Sequence, residues 1–164
     1  MNVEFINPFI NATINALSTM AQVAPKRGAP YIKASDEAGG DISAVIGLTG
    51  EANGWCAVSF KKAAALKIVS NMLGEQKTFI DADVRDAVGE IVNMIAGGAK
   101  GEFAQKNFTF KIAIPTVIIG ESHILSQKKD APCIVVPFQI DESGFFIEVC
   151  LAQEDRKSTR LNSS

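Results

Sequence analysis

Residues 81–105, DADVRDAVGEIVNMIAGGAKGEFAQ, decide how this chain is read. Asp81, Asp83 and Asp86 put negative charge where the positive end of a helix dipole would lie. From Val84 onward, Val88, Ile91, Val92, Ile95 and Ala99 share one side when residues advance by about 100° each. The spacing predicts one long helix from near Asp81 to about Gln105, weakened in its second half by Gly97, Gly98 and Gly101. Asp86, Glu90, Asn93 and Gly97 fall on the opposite side, with Lys100 close to them. The helix is thus expected to bury an aliphatic stripe. Its outer face then shows a carboxylate and a carboxamide side by side, about one turn apart.

Upstream, Lys61–Leu73 keeps helical spacing through Ala65, Leu66, Val69, Met72 and Leu73, and Gly74 is its expected stop. Asp41–Leu48 and Trp55–Phe60 read as strands with Thr49–Gly54 turning between them, and Trp55 and Phe60 are expected in the core. At the start, Asn7-Pro8 reads as an N-cap with proline at the first helical position. Ile6, Phe9, Ile10, Thr13, Leu17 and Met20 then share a face, and the helix should end near Pro25, with Lys26-Arg27-Gly28 as loop. Downstream lie strand-like stretches at Phe108–Gly120, Cys133–Ile140 and Phe145–Ala152, the last two joined by a turn at residues 141–144. Cys133–Ile140 is apolar on both faces, as suits a central strand or an edge covered by a second subunit. Residues 155–164, DRKSTRLNSS, are polar and aperiodic and resemble translated read-through of a sequencing adapter. The domain is therefore expected to span residues 1–154. Helix, strands, helix, then long helix and strands is an α+β order, with a loose two-fold repeat of a helix followed by mostly antiparallel strands.

The chain has 164 residues, 47% apolar and 21% charged, enough for one globular core. Its net charge of −2 gives no basic footprint for nucleic acid or an anionic membrane. No apolar run reaches the roughly 18 residues of a membrane span. The acidic start, Met1-Asn2-Val3-Glu4, is unlike a secretory signal, and a cytoplasmic location is expected. Cys56, Cys133 and Cys150 are odd in number, lack a Cys-x-x-Cys pair and sit in apolar runs, so they are expected as small buried side chains rather than a disulfide framework. The single histidine, His123, argues against a His/Cys zinc site and against a His-based triad. Gly97-Gly98-Ala99-Lys100-Gly101 lacks the spacing of a phosphate loop.

Glu90 and Asn93 are chemically specific without being strong nucleophiles. A carboxylate can accept a partner's lysine, and a carboxamide can both donate to and accept from one water, fixing its orientation. Gly97, one turn beyond Asn93, leaves that surface open to close approach by another backbone. A Glu-x-x-Asn pair alone is common, and usually only solvated. Its surroundings say more. Asp86-x3-Glu90-x2-Asn93, followed across residues 94–114 by Pro115, resembles the signature of the CheC/CheX/FliY family of chemotaxis phosphatases, and the similarity runs over about residues 1–154. The first helix has Asn11 but no glutamate in the matching region, Pro8–Asn11, so a single motif on the long helix resembles the CheX-type arrangement.

The resemblance implies a CheC-like fold, in which pseudo-two-fold repeats form one antiparallel sheet with long helices packed on it. It implies a phosphatase acting on the aspartyl phosphate of a CheY-like response regulator. Glu90 and Asn93 would be catalytic, Glu90 pairing with the regulator's active-site lysine and Asn93 orienting the attacking water. Asp86, Gly97 and Lys100 would touch the substrate protein. The chain would need no cofactor of its own, because the regulator supplies Mg²⁺. A homodimer is implied, with no nucleic-acid or membrane partner. The alternative is a non-catalytic docking module for phosphorylated CheY, like a flagellar-switch component.

Overall fold

The computed structural model describes residues 5–34, 39–125 and 132–153. The proposed adapter tail lies outside them. The helices are α1 (Ile6–Ala21), α2 (Lys62–Leu73) and α3 (Ala82–Ala104). The strands are β1 (Lys26–Arg27), β2 (Tyr31–Ile32), β3 (Ile42–Gly50), β4 (Ala52–Phe60), β5 (Phe110–Ile112), β6 (Thr116–Ile119), β7 (Cys133–Ile140) and β8 (Ser143–Gln153). All strand pairs are antiparallel in one sheet ordered β1-β7-β8-β4-β3-β5, with β2 also on β7 and β6 also on β3.

The topology contains the expected two-fold repeat, with an exchange that the sequence does not show. Each half is a long helix, two short strands and a long hairpin. The short strands after α1 pair with the hairpin that follows α3, and those after α3 pair with the hairpin that precedes it. Lys26–Arg27 is therefore strand rather than loop, and it covers the outer side of β7 together with Tyr31–Ile32. This chain's own segments thus shield the doubly apolar strand.

Alternation along the strands builds the core. Ile42, Ala44, Ile46 and Leu48 of β3, Cys56, Val58 and Phe60 of β4, and Ile147 and Val149 of β8 are buried in one cluster with the helices. Against them lie Val88, Ile91, Val92, Ile95 and Ala99 of α3, so the aliphatic stripe is where its spacing placed it. α3 runs unbroken through its glycines. Gly98 has a packing reason: a Cβ there would stand 2.9 Å from Ala12 Cβ, so its absence lets α1 cross closely. Gly74 ends α2 in the left-handed conformation, φ 67°, as expected of a C-terminal stop.

The start of α1 differs from expectation. Asn7 lies inside the helix, exposed, and Phe5 occupies the cap position without a side-chain cap bond. Aromatic packing sets this end instead, with the Phe5 ring 5.7 Å from Phe103 and 5.4 Å from Phe108. The helix closes at Ala21 through Gln22 in the left-handed region, ahead of Pro25. Trp55 is only half-buried, on the sheet face away from the helices, whereas Phe60 is fully buried.

Part of that second face is closed by polar contacts. Lys33 and Glu148 form a buried ion pair at 2.9 Å, and Lys33 Nζ donates further to the Leu125 carbonyl. Ser43 Oγ lies 2.6 Å from both Ser59 Oγ and His123 Nε2. His123 Nδ1 donates to the Gly120 carbonyl at 2.7 Å, tying residues 120–123 onto the sheet. Cys133 and Cys150 face each other across β7 and β8, their Cα atoms 4.2 Å apart, and form a disulfide. This corrects the expectation of isolated cysteines: strand register brings together two residues that no sequence spacing marks as a pair. Cys56 alone is the free, buried thiol among the described residues, and burial pushes its pKa up to about 12.

A Cys133→Ala/Cys150→Ala variant is expected to lose about 2–4 kcal/mol of unfolding free energy, the usual scale for a disulfide closing a loop of this order. Denaturation curves with and without reductant check this. Coincident curves for the wild-type chain would mean that the two thiols are not joined.

Candidate functional site

The site begins with the way α3 is started. Asp81 caps it, one carboxylate oxygen accepting from Val84 N at 2.9 Å. Lys77 Nζ donates to the other oxygen at 2.9 Å and reaches Glu75 at 3.0 Å and Asp83 at 3.2 Å. The Val84 N–H bond, then Lys77, hold the Asp81 carboxyl below its ordinary 3.8. These contacts anchor the helix end from which the outer face projects.

That face is the one expected. Asp86 and Glu90 are exposed and Asn93 is half-exposed, while Ala87, Val88, Ile91 and Val92 are buried. The second wall comes from the sheet edge. β5 and β6 pair with β3 in nearly one line, but residues 113–115 oppose only Ile46 and Gly47. One extra residue makes this a bulge, the device that bends an edge strand and re-aims side chains beside sites. It throws Ile114 outward, 88% exposed, and turns Pro115 toward α3. A Cβ on Gly89 would meet Val117 at 3.4 Å and Pro115 at 4.0 Å, so helix and edge are close here.

Between these walls lies an open cleft of about 510 Å³. α3 contributes Arg85, Asp86, Gly89, Glu90 and Asn93, and the edge contributes Ala113, Ile114, Pro115 and Val117. The fold thus gathers Asp86, Glu90, Asn93 and Pro115 into one place. None of the lining side chains is a serine, cysteine or histidine. Such a cleft can orient a water with an amide and receive a cation on a carboxylate, and it holds no hydroxyl, thiol or imidazole nucleophile.

The family profile described as chemotaxis phosphatase CheX matches residues 42–139, from the start of β3 almost to the end of β7. A curated relative, the CheY-P phosphatase CheX of Thermotoga maritima, is 30% identical over 121 residues, or 73% of this chain and 78% of that protein. The chain belongs to the CheX family. The crystal structure of CheX from Desulfovibrio desulfuricans shares the fold at a TM-score of 0.86 and 43% identity, covering 92% of this chain and 100% of that one. The CheX of a CheX–CheY–BeF₃–Mg²⁺ complex from Borrelia burgdorferi matches at a TM-score of 0.78 and 25% identity, covering 92% of this chain and 99% of that one.

In this CheX-family chain, two of the expected contact residues stand apart from the cleft. Gly97 is half-exposed on α3 with open space where a Cβ would be. Lys100 is exposed and borders a different depression with Glu51, Thr109 and Lys111. Arg85, Gly89 and Ile114 were not singled out from sequence. The one available signal was Pro115, since proline within a strand-like run marks an edge or a bulge. One grouping with metal-ligand character exists among the described residues, namely Cys133, Glu148 and Cys150. Its sulfurs are joined and its carboxylate is paired with Lys33, so those donors are already engaged.

Asp81→Ala is expected to lower the melting temperature at neutral pH. The folded-state pKa is depressed, so the carboxylate's contribution is complete above 3.8 and fades as pH falls through the lower folded value. Melting curves of wild type and variant should therefore converge on acidification. A gap that persists in acid would assign the loss to something other than the charged cap.

Proposed function

We propose that this chain dephosphorylates a CheY-like response regulator, with α3 laid into the regulator's phosphorylation site. The single observation carrying this reading is that Pro115, far along the chain from the neighbouring pair Glu90 and Asn93, lines one cleft with them, and that no serine, cysteine or histidine lines it. Family membership supports it, as do the name of the Thermotoga relative and the Borrelia complex of CheX with CheY.

In this reading Asn93 holds a water in line with phosphorus. The water oxygen bonds to phosphorus as the bond to the aspartyl oxygen breaks, giving inorganic phosphate and a free aspartate. Glu90 pairs with the regulator's active-site lysine and anchors the docking. Mg²⁺ and that lysine, both belonging to the regulator, neutralise the phosphoryl oxygens, so this chain needs no cofactor of its own. Its contribution is position, the main demand of phosphoryl transfer. Asp86, on the same wall, adds a docking contact. The reading places the protein in the cytoplasm as a homodimer, and light scattering of the purified chain tests the dimer directly.

Orienting one water and excluding others supplies roughly 2–4 kcal/mol, or about 30- to 1,000-fold in rate. Asn93→Ala should lose most of that acceleration while still binding the phosphorylated regulator. Glu90→Ala should weaken binding as well as rate, because it leaves a buried partner charge unmatched. Phosphate release from a phosphorylated CheY-type regulator, measured beside binding, separates the readings. Binding by the wild-type chain without faster release would make it a docking module.

A further inference from the structure

Arg85 is the one cationic side chain among the residues lining the cleft, where it stands with Asp86 and Glu90. It is exposed. The ion pairs found among the described residues engage Lys33, Lys67 and Lys77, and none engages Arg85. Its neighbour Lys77, by contrast, is fully committed to three acids.

Position around the helix gives this cation a direction. Counted from Arg85 at about 100° per residue, Gly89 stands at about 40°, Asn93 at about 80°, Asp86 at about 100° and Glu90 at about 140°. Viewed down the axis, the guanidinium thus lies on one flank of the amide and the two carboxylates on the other. Gly89 fixes which flank is which, because it faces Val117 and Pro115 of the sheet edge. Arg85 lies on the edge side of Asn93, and Glu90 on the far side. A surface laid across this face must bring an anion to the edge side and a cation to the far side. Reversed by half a turn, it would set like charges against each other on both flanks.

We propose that Arg85 is a docking residue that fixes the orientation of the partner on α3 by pairing with a carboxylate at the rim of the partner's phosphorylation site. The inference rests on the phosphatase reading for the identity of the partner. The carboxylate is favoured over the phosphoryl group because Arg85 and Asn93 stand at opposite ends of the helical wall of the cleft, about 12 Å apart along α3. A planar guanidinium also suits bidentate pairing with a carboxylate, which sets angle as well as attraction.

The test uses the full-length chain, a CheY-type regulator phosphorylated by a small phosphodonor, and the same regulator loaded with beryllofluoride. Arg85→Glu should raise KM on the order of tenfold with kcat little changed, and the difference should shrink as salt is added. Arg85→Lys should recover much of the loss, and both variants should melt with the wild type. Binding to the unphosphorylated regulator should weaken by a similar factor. An unchanged KM in Arg85→Glu, with an active wild type, overturns the inference and leaves the phosphatase reading standing. A loss confined to the phosphorylated or beryllofluoride-loaded regulator also overturns it, since the cation would then be reading the phosphoryl group. If the wild type binds without turnover, the phosphatase reading fails and the binding comparison still decides the role of Arg85. If the wild type neither binds nor accelerates release, both fall.

Discussion

The aliphatic stripe of α3 is the constraint on which the rest depends. Val88, Ile91, Val92, Ile95 and Ala99 are all essentially without solvent exposure. With those side chains turned inward, a period of 3.6 residues leaves Asp86, Glu90 and Asn93 outside. Rolling the helix to hide them would take two carboxylates out of water without partners, at a cost of several kcal/mol each. Solvation therefore aims the site, and no contact made by the functional groups themselves is needed to do so. The close crossing at Gly98 lets α1 cover the helix on the side away from the sheet edge.

A helix face alone is not a cleft. The second wall exists because β5 and β6 carry one residue more than β3 can match. An unbroken strand would have kept its pleat and sent alternate side chains to the two faces of the sheet. The extra residue ejects Ile114 and brings Pro115 over Gly89, and proline costs no ladder bond there because residue 115 lies in the bulge, unpaired with β3. The result is a shallow site with charge and an amide but no hydroxyl, thiol or imidazole. That composition suits an enzyme whose substrate protein brings most of the reacting groups with it.

The face of the sheet away from the helices shows a different solution to burial. Glu148 is 1% exposed yet charged, and it is tolerated because Lys33 pairs with it and finds a further acceptor on Leu125. Beside it, Cys133 and Cys150 join the two strands of the last hairpin, and Ser43, Ser59 and His123 tie down residues 120–123. These contacts close part of the second face with polar groups satisfied locally, and a depression beside Trp55 stays open. The disulfide also removes the cysteines as an argument for a reducing compartment.

Much of the site was legible because it is local. Helix period, the acids of the first turns and the spacing of Glu90 and Asn93 all act within a few turns of one segment, so α3, its buried stripe and its outward face follow from the residues of that segment alone, although the cap made by Asp81 appears only in the structure. The bounds of Cys133–Ile140 were equally readable from its continuous apolar run. What depends on register or on distant neighbours was decided only by the tertiary structure. Lys26–Arg27 and Tyr31–Ile32 are strands because β7 offers them an edge, not because two residues carry a β signal. The start of α1 is set by Phe5 against Phe103 and Phe108 rather than by Asn7. Cys133 meets Cys150, and residues 113–115 bulge against Ile46 and Gly47, because of how strands align after folding. Arg85 joins the site for the same reason: its place at the edge of the stripe has meaning only once the sheet edge stands beside it. A single segment carries its own periodicity, whereas register is a property of two segments and the core that both must share.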